Sequence, residues 1–257
     1  MLPSLFISHG SPALGIMDNE FSDFFKNLSK KFEKPKYIVI VSAHWESKDV
    51  SILSNEFPKI IYDFYGFPKE LHEKKYPAKN DIKQVKNIKK LLQNKDIQIK
   101  EEPFKEGYDH GVWVPLSLMY PKADIPIIQI SLPKSYSSKE LFILGEALQE
   151  LRKECLIIGS GSITHNLYDT TSNINAKVKE YAKIFDEYIS KIIREKNIHE
   201  LLDFKEKAPK FRENHPSQEH FMPLFFPLGA AISKDCEILN KRFMYGNLSM
   251  QTLLFSN

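Results

Sequence analysis

Near-continuous apolar runs alternate along this chain with segments whose apolar positions recur every three to four residues. Leu2 to Ser8, Tyr37 to Ser42 (YIVIVS), Ile125 to Ser131 (IPIIQIS) and Leu156 to Gly159 are runs of the first kind. Rich in β-branched residues, they fit strands covered on both faces. Between them the spacing predicts amphipathic helices. Phe21, Phe24, Phe25, Leu28 and Phe32 share one face, and Ile82, Val85, Ile88 and Leu92 share another. Ser137 and Glu140 form a capping-box pattern ahead of Leu141, Leu144, Leu148 and Leu151. The longest helix is expected from about Ala176 to Ile193, burying Val178, Tyr181, Phe185, Tyr188, Ile189 and Ile192. Strands alternating with helices predict a single α/β domain over residues 1–257, with a central mostly parallel or mixed sheet flanked by helices. Two stretches, 54–80 with its prolines and 205–223, read as long loops, where ligands commonly bind.

Composition narrows the class without naming it. At 257 residues, 42% hydrophobic and 27% charged, the chain has the make-up of an ordinary globular domain. A net charge of +3, from 36 basic and 33 acidic residues, makes no electrostatic case for nucleic acid or an anionic membrane. The two cysteines, Cys155 and Cys236, form no CxxC pair, so neither a zinc ribbon nor a redox motif is indicated. The start, MLPSLFISHGSP, lacks the basic region of a signal peptide, and no apolar run approaches the roughly 18 residues of a membrane span. The expectation is a cytoplasmic protein; oligomeric state leaves no readable mark.

The candidate chemistry lies in the positions of the eight histidines. His9, His44 and His165 each come just after a predicted strand, and ligands of open α/β sheets bind beyond the carboxyl ends of strands. His110 and His220 fall in loop-like stretches able to reach the same crevice. Neutral imidazole suits Fe, Zn, Cu and Ni, so a histidine-rich crevice suggests a metal. The alternative for each histidine is ordinary packing or capping. For His72, in a polar helix, and His199, opening a short helix, that alternative is preferred. His215, beside Pro216, reads as a loop residue, with a contact behind the site as the lesser alternative. There is no HExxH motif.

The stretches FISHGSP (6–12), VSAHWE (41–46), YDFYGFP (62–68), YDHGVWVPL (108–116), IPIIQIS (125–131), IGSGSITHNL (158–167) and HPSQEHFMPL (215–224) together resemble the class III extradiol ring-cleavage dioxygenases, of the 4,5-DOPA dioxygenase type. They span nearly the whole chain in order. The resemblance implies that His9, His44 and His220 are metal ligands. It implies that His165 is catalytic or a further ligand, and that His110 is a second active-site histidine contacting substrate or oxygen. Many class III enzymes use two histidines and a carboxylate. Here Glu219 adjoins His220, and His220 is the preferred ligand.

The implied activity is opening of a catechol ring, such as that of DOPA, by O2 on Fe(II), with His165 as base and acid. Zn2+ is an expected occupant of such a set as purified, although it has no redox state with which to activate O2. Trp45, Tyr62, Phe64, Tyr65 and Trp113 are expected to wall a flat aromatic substrate, or else simply to pack in the core. Asp63 and Ser11 are candidates for binding a polar substituent. The rival readings are a zinc-dependent hydrolase and a non-catalytic binding module on the same scaffold.

Overall fold

The computed structural model describes residues 1–256. Its centre is an eight-stranded mixed sheet. In chain order the strands are β1 (Ser4–Ser8), β2 (Tyr37–Ser47), β3 (Ser51–Leu53), β4 (Lys100–Glu102), β5 (Ile127–Pro133), β6 (Cys155–Gly161), β7 (Cys236–Leu239) and β8 (Thr252–Phe255). In space the order is β4-β3-β5-β2-β6-β1-β8-β7. The middle four, β5, β2, β6 and β1, are parallel to one another. β8 and β7 extend the sheet antiparallel on one side. On the other side β3 pairs antiparallel with β5 and parallel with β4.

The parallel strands are buried on both faces, which is why they read as unbroken apolar runs rather than alternating ones. Tyr37, Val39 and Val41 of β2 point into one core layer, Ile38 and Ile40 into the other. Helix α1 (Glu20–Leu28) and helix α3 (His110–Met119) cover the second layer. Helix α2 (Ile82–Gln93), helix α4 (Ser138–Ala147) and helix α5 (Glu180–Arg194) cover the first. The Ser137–Glu140 capping box forms as expected: Glu140 Oε2 accepts from the Ser137 N–H at 2.7 Å and Ser137 Oγ accepts from the Glu140 N–H at 3.3 Å. A cap of this kind is worth about 1 kcal/mol. Among the described residues no helix is long and apolar enough to cross a membrane.

Several expected boundaries move. β2 runs on to Ser47 and so contains His44. α5 begins at Glu180, not near Ala176, because the preceding backbone is tied elsewhere: Lys179 N–H donates to Gly246 O at 2.8 Å. α1 stops at Leu28, leaving Phe32 beyond a short 3-10 turn, and α4 likewise gives way to a 3-10 turn that holds Leu151. The stretch 54–80 is mostly loop, as expected, with only a two-residue strand, Lys59–Ile60, and a helical turn, Lys69–His72, inside it. The stretch 205–223 is more than half irregular, as expected, interrupted by the short helices Phe204–Lys207, Phe211–Asn214 and Met222–Leu224. α3 was not expected as a helix at all. It is buried along nearly its whole length and carries Pro115 inside it, so its sequence shows neither an amphipathic stripe nor a helix-friendly interior.

Candidate active site

The carboxyl ends of β1, β2 and β6 meet at one cleft of about 490 Å³, within the usual range for small-molecule sites. His9 is the first residue beyond β1. His44 lies inside β2 where pairing with β5 shifts register between Val41 and Glu46, an irregularity of the kind that re-aims a side chain. His165 comes four residues after β6 ends at Gly161. His220 is far away in sequence, yet its carbonyl accepts the Ser162 N–H at 2.8 Å. That approach needs Gly161: a Cβ there would fall 2.1 Å from His220 O, inside any allowed contact. His110 opens α3 instead of sitting in a loop. The five histidines thus converge on one cleft.

Their nitrogens have a definite arrangement. His44 Nε2 lies 3.1 Å from His9 Nε2 and 3.2 Å from His220 Nε2. Two imidazole nitrogens bound to one ion at about 2.0–2.1 Å, at octahedral to tetrahedral angles, stand about 2.8–3.4 Å apart. The donor set therefore fits a divalent metal. On the far side of His220, Nδ1 contacts Glu219 Oε1 at 2.8 Å. Glu219 thus engages the nitrogen opposite the cluster, the place of a carboxylate that orients a ligand.

Burial keeps these rings neutral. It pushes His9 and His220 well below the usual histidine range, reinforced by the neighbouring imidazoles. Burial, then His110, lowers His44 to about 4 against the opposing pull of Asp109 and Asp63. Neutral imidazole is the metal-binding form.

His165 lies flat against His220, with ring centroids 3.4 Å apart and planes 7° from parallel. Imidazole lone pairs lie in the ring plane. An ion held by His220 would therefore lie well to one side of the His165 ring, away from the directions in which His165 could bind it. The stack favours a role for His165 beside, rather than among, the residues that would hold a metal. Burial and then the neighbouring His215, His44 and His110 lower it to about 3. His110 faces Asp63, whose Oδ2 is 2.9 Å from His110 Nδ1 and whose Oδ1 accepts the His110 backbone N–H at 3.0 Å. Asp63 also stands 3.6 Å from His44 Nδ1. Burial works to raise the Asp63 carboxyl, but its contacts with His110 and His44 outweigh that and hold it below its ordinary value.

The remaining expected residues divide. Ser11, Asp63, Phe64 and Tyr65 line the cleft. Trp45 and Trp113 do not, and neither does Tyr62, which corrects the expectation for all three. Trp45 is half-buried away from the cleft under Lys105, whose Nζ is 4.7 Å from the ring centre. Trp113 is 1% exposed and donates Nε1–H to Ile61 O at 3.1 Å. It braces the 61–68 loop from behind, because a large ring with one donor is most stable buried against one acceptor. Tyr62 bonds its hydroxyl to Lys74 O. His72 and His199 are exposed and away from the cleft, as expected. His215 lies in a loop as expected, but a buried one: it is 3% exposed, and its Nε2 bonds Ile163 O at 2.8 Å behind the site.

Sequence reasoning passed over Thr170, Thr171, Tyr245 and Leu248, which are among the residues that form the walls. The position of 170 and 171 in the loop after a central strand, and the turn signal Tyr245-Gly246-Asn247, were the available hints.

The family model "Catalytic LigB subunit of aromatic ring-opening dioxygenase" matches residues 3–255. A 4,5-DOPA dioxygenase extradiol from Beta vulgaris is 36% identical over 99% of this chain and 96% of its own length. A protein of the same name from Escherichia coli (strain K12) is 32% identical over 89% of this chain and 85% of its own length. The crystal structure of an uncharacterized protein from Escherichia coli K12 superposes with a TM-score of 0.82 and 27% identity, covering 100% of both chains.

Proposed function

The chain belongs to the LigB family of aromatic ring-opening dioxygenases, and on that premise we propose that it opens the ring of a catechol such as DOPA with O2, at a divalent metal held by His9, His44 and His220. The observation that carries this is the approach of three imidazole Nε2 atoms, at 3.1 and 3.2 Å, inside a cleft large enough for one aromatic ring.

Bound Fe(II) supplies Lewis-acid attraction for the catechol oxygens and an electron path from the ring to O2. The protein supplies the rest. His165, held neutral, takes the proton of a catechol hydroxyl and returns one as the ring opens. His110, fixed at the start of α3 by Asp63, is the second polar contact for substrate or oxygen. Phe64, Tyr65 and Tyr245 provide apolar walls that align a flat ring with the histidines and displace water. Zinc binds an all-histidine set as well as iron does, so protein carrying zinc is expected to be inactive until exchanged.

The test is anaerobic loading with Fe(II), followed by O2 uptake and the appearance of yellow ring-opened product across a panel of catechols. No uptake with any catechol at full iron occupancy overturns the reading. Hydrolysis of an ester or amide by the zinc form would replace it with the hydrolase alternative.

A further inference from the structure

In an α-helix each carbonyl accepts from the N–H four residues on. For Gly111, in the first turn of α3, that residue is Pro115, which has no N–H. The Gly111 carbonyl is left without its helical donor and takes another. Ser160 Oγ, fully buried at the end of β6, donates to Gly111 O at 2.5 Å. A carbonyl oxygen only accepts, so the one hydroxyl proton of Ser160 is committed there. Its oxygen is then free only to accept, and it faces His9 Nδ1 at 2.9 Å. His9 must donate across that contact. Its proton sits on Nδ1, and Nε2, the nitrogen 3.1 Å from His44 Nε2, carries the bare lone pair.

We propose that Ser160 is a positioning residue which, through the carbonyl that Pro115 frees on Gly111, locks His9 into the Nδ1–H tautomer and so leaves Nε2 open to the metal. The claim rests on the reading of His9 as a ligand. The register supports it: Ser160 lies opposite Ile7 in β1 and Ser42 in β2, between the two strands that deliver His9 and His44. The first turn of α3 is pressed onto this point, since a Cβ on Gly111 would come within 2.5 Å of Ser42 Oγ.

Long-range nitrogen–proton NMR of metal-free wild-type protein reads the tautomer directly: His9 should show a protonated Nδ1 and an unprotonated Nε2. Ser160→Ala should give a mixture of tautomers and weaken zinc binding, measured against a chelator, by about 10–100-fold. Ser160→Thr, which keeps the hydroxyl, should restore both. An Nε2–H tautomer in the wild type overturns the proposal without any variant. So does a Ser160→Ala protein that melts earlier yet binds zinc with unchanged affinity, which would make the hydroxyl a structural tie alone. His9→Ala separates the two levels: if it binds zinc as tightly as wild type, the ligand assignment fails; if it loses zinc while Ser160→Ala does not, only the positioning role fails.

Discussion

The imidazole of His165 covers the face of His220 almost in parallel, 3.4 Å between ring centres. Two rings stacked this way cannot direct their in-plane lone pairs at one ion. His220 already turns Nε2 toward His44 and Nδ1 toward Glu219. His165 is thereby set beside the three histidines proposed to hold a metal, out of line for a bond to the same ion.

His165→Ala is accordingly expected to keep metal close to one equivalent while losing about 10²–10⁴-fold in turnover. Metal content by elemental analysis and O2 uptake on the same sample check this. Loss of metal in step with activity would return His165 to the ligand set.

Removing His9, His44 or His220 should instead abolish metal binding, since each contributes one of three converging nitrogens. Glu219→Ala should retain the site but weaken it by about 10–100-fold, because only the orienting bond to His220 Nδ1 is lost. Chelator competition distinguishes these outcomes. Complete metal loss in Glu219→Ala would make the carboxylate a ligand in its own right.

His215 gives a pH signature independent of activity. Burial lowers it from the ordinary value near 6.5 to about 4. Between those values the unfolded chain binds the proton and the folded chain does not, so stability rises with pH across the window and is lost as pH falls from 6.5 toward 4. The full effect is about 3 kcal/mol, and buried His44 acts in the same direction. Asp186, raised by burial to about 6, works the opposite way, losing stability as pH rises toward 6. The difference in denaturation midpoint between wild type and His215→Phe isolates the histidine. That difference should change in favour of the variant as pH drops from 6.5 to 4, and a flat difference would contradict it.

Tyr245 lines the cleft with its backbone at φ 54°, a conformation unfavourable for a bulky residue, and it is followed by Gly246 at φ 83°. Such strain at a cleft wall is consistent with a side chain held there for the ligand. Tyr245→Asn, which suits the left-handed backbone, should raise KM for the catechol about tenfold with kcat and metal content nearly unchanged, an effect of about 1.4 kcal/mol. Tyr245→Phe should match wild type. Steady-state kinetics on iron-loaded protein decide it, and an unchanged KM in Tyr245→Asn would remove Tyr245 from the substrate wall.

Local pattern by itself determined a good deal of this protein. The unbroken β-branched runs at 37–42 and 156–159 fit strands buried on both faces, and strands form there. The Ser137–Glu140 pair set the start of a helix because both bonding partners lie within one turn. The placement of His9, His44 and His165 near strand ends was enough to put them at one edge of the sheet. Other features were decided only by tertiary structure. Trp45 and Trp113 look as fit for a substrate wall as Tyr65 does, because an aromatic side chain is favoured wherever it loses contact with water; which water-free place it takes depends on distant neighbours. α3 carried no periodicity because it is buried nearly all round. The tilt of His165 onto His220, and the hydroxyl of Ser160 between His9 and Gly111, join residues 55, 151 and 49 positions apart. Periodicity records which face of an element avoids water. The direction of a lone pair is set by atoms that only the closed fold brings within hydrogen-bonding distance.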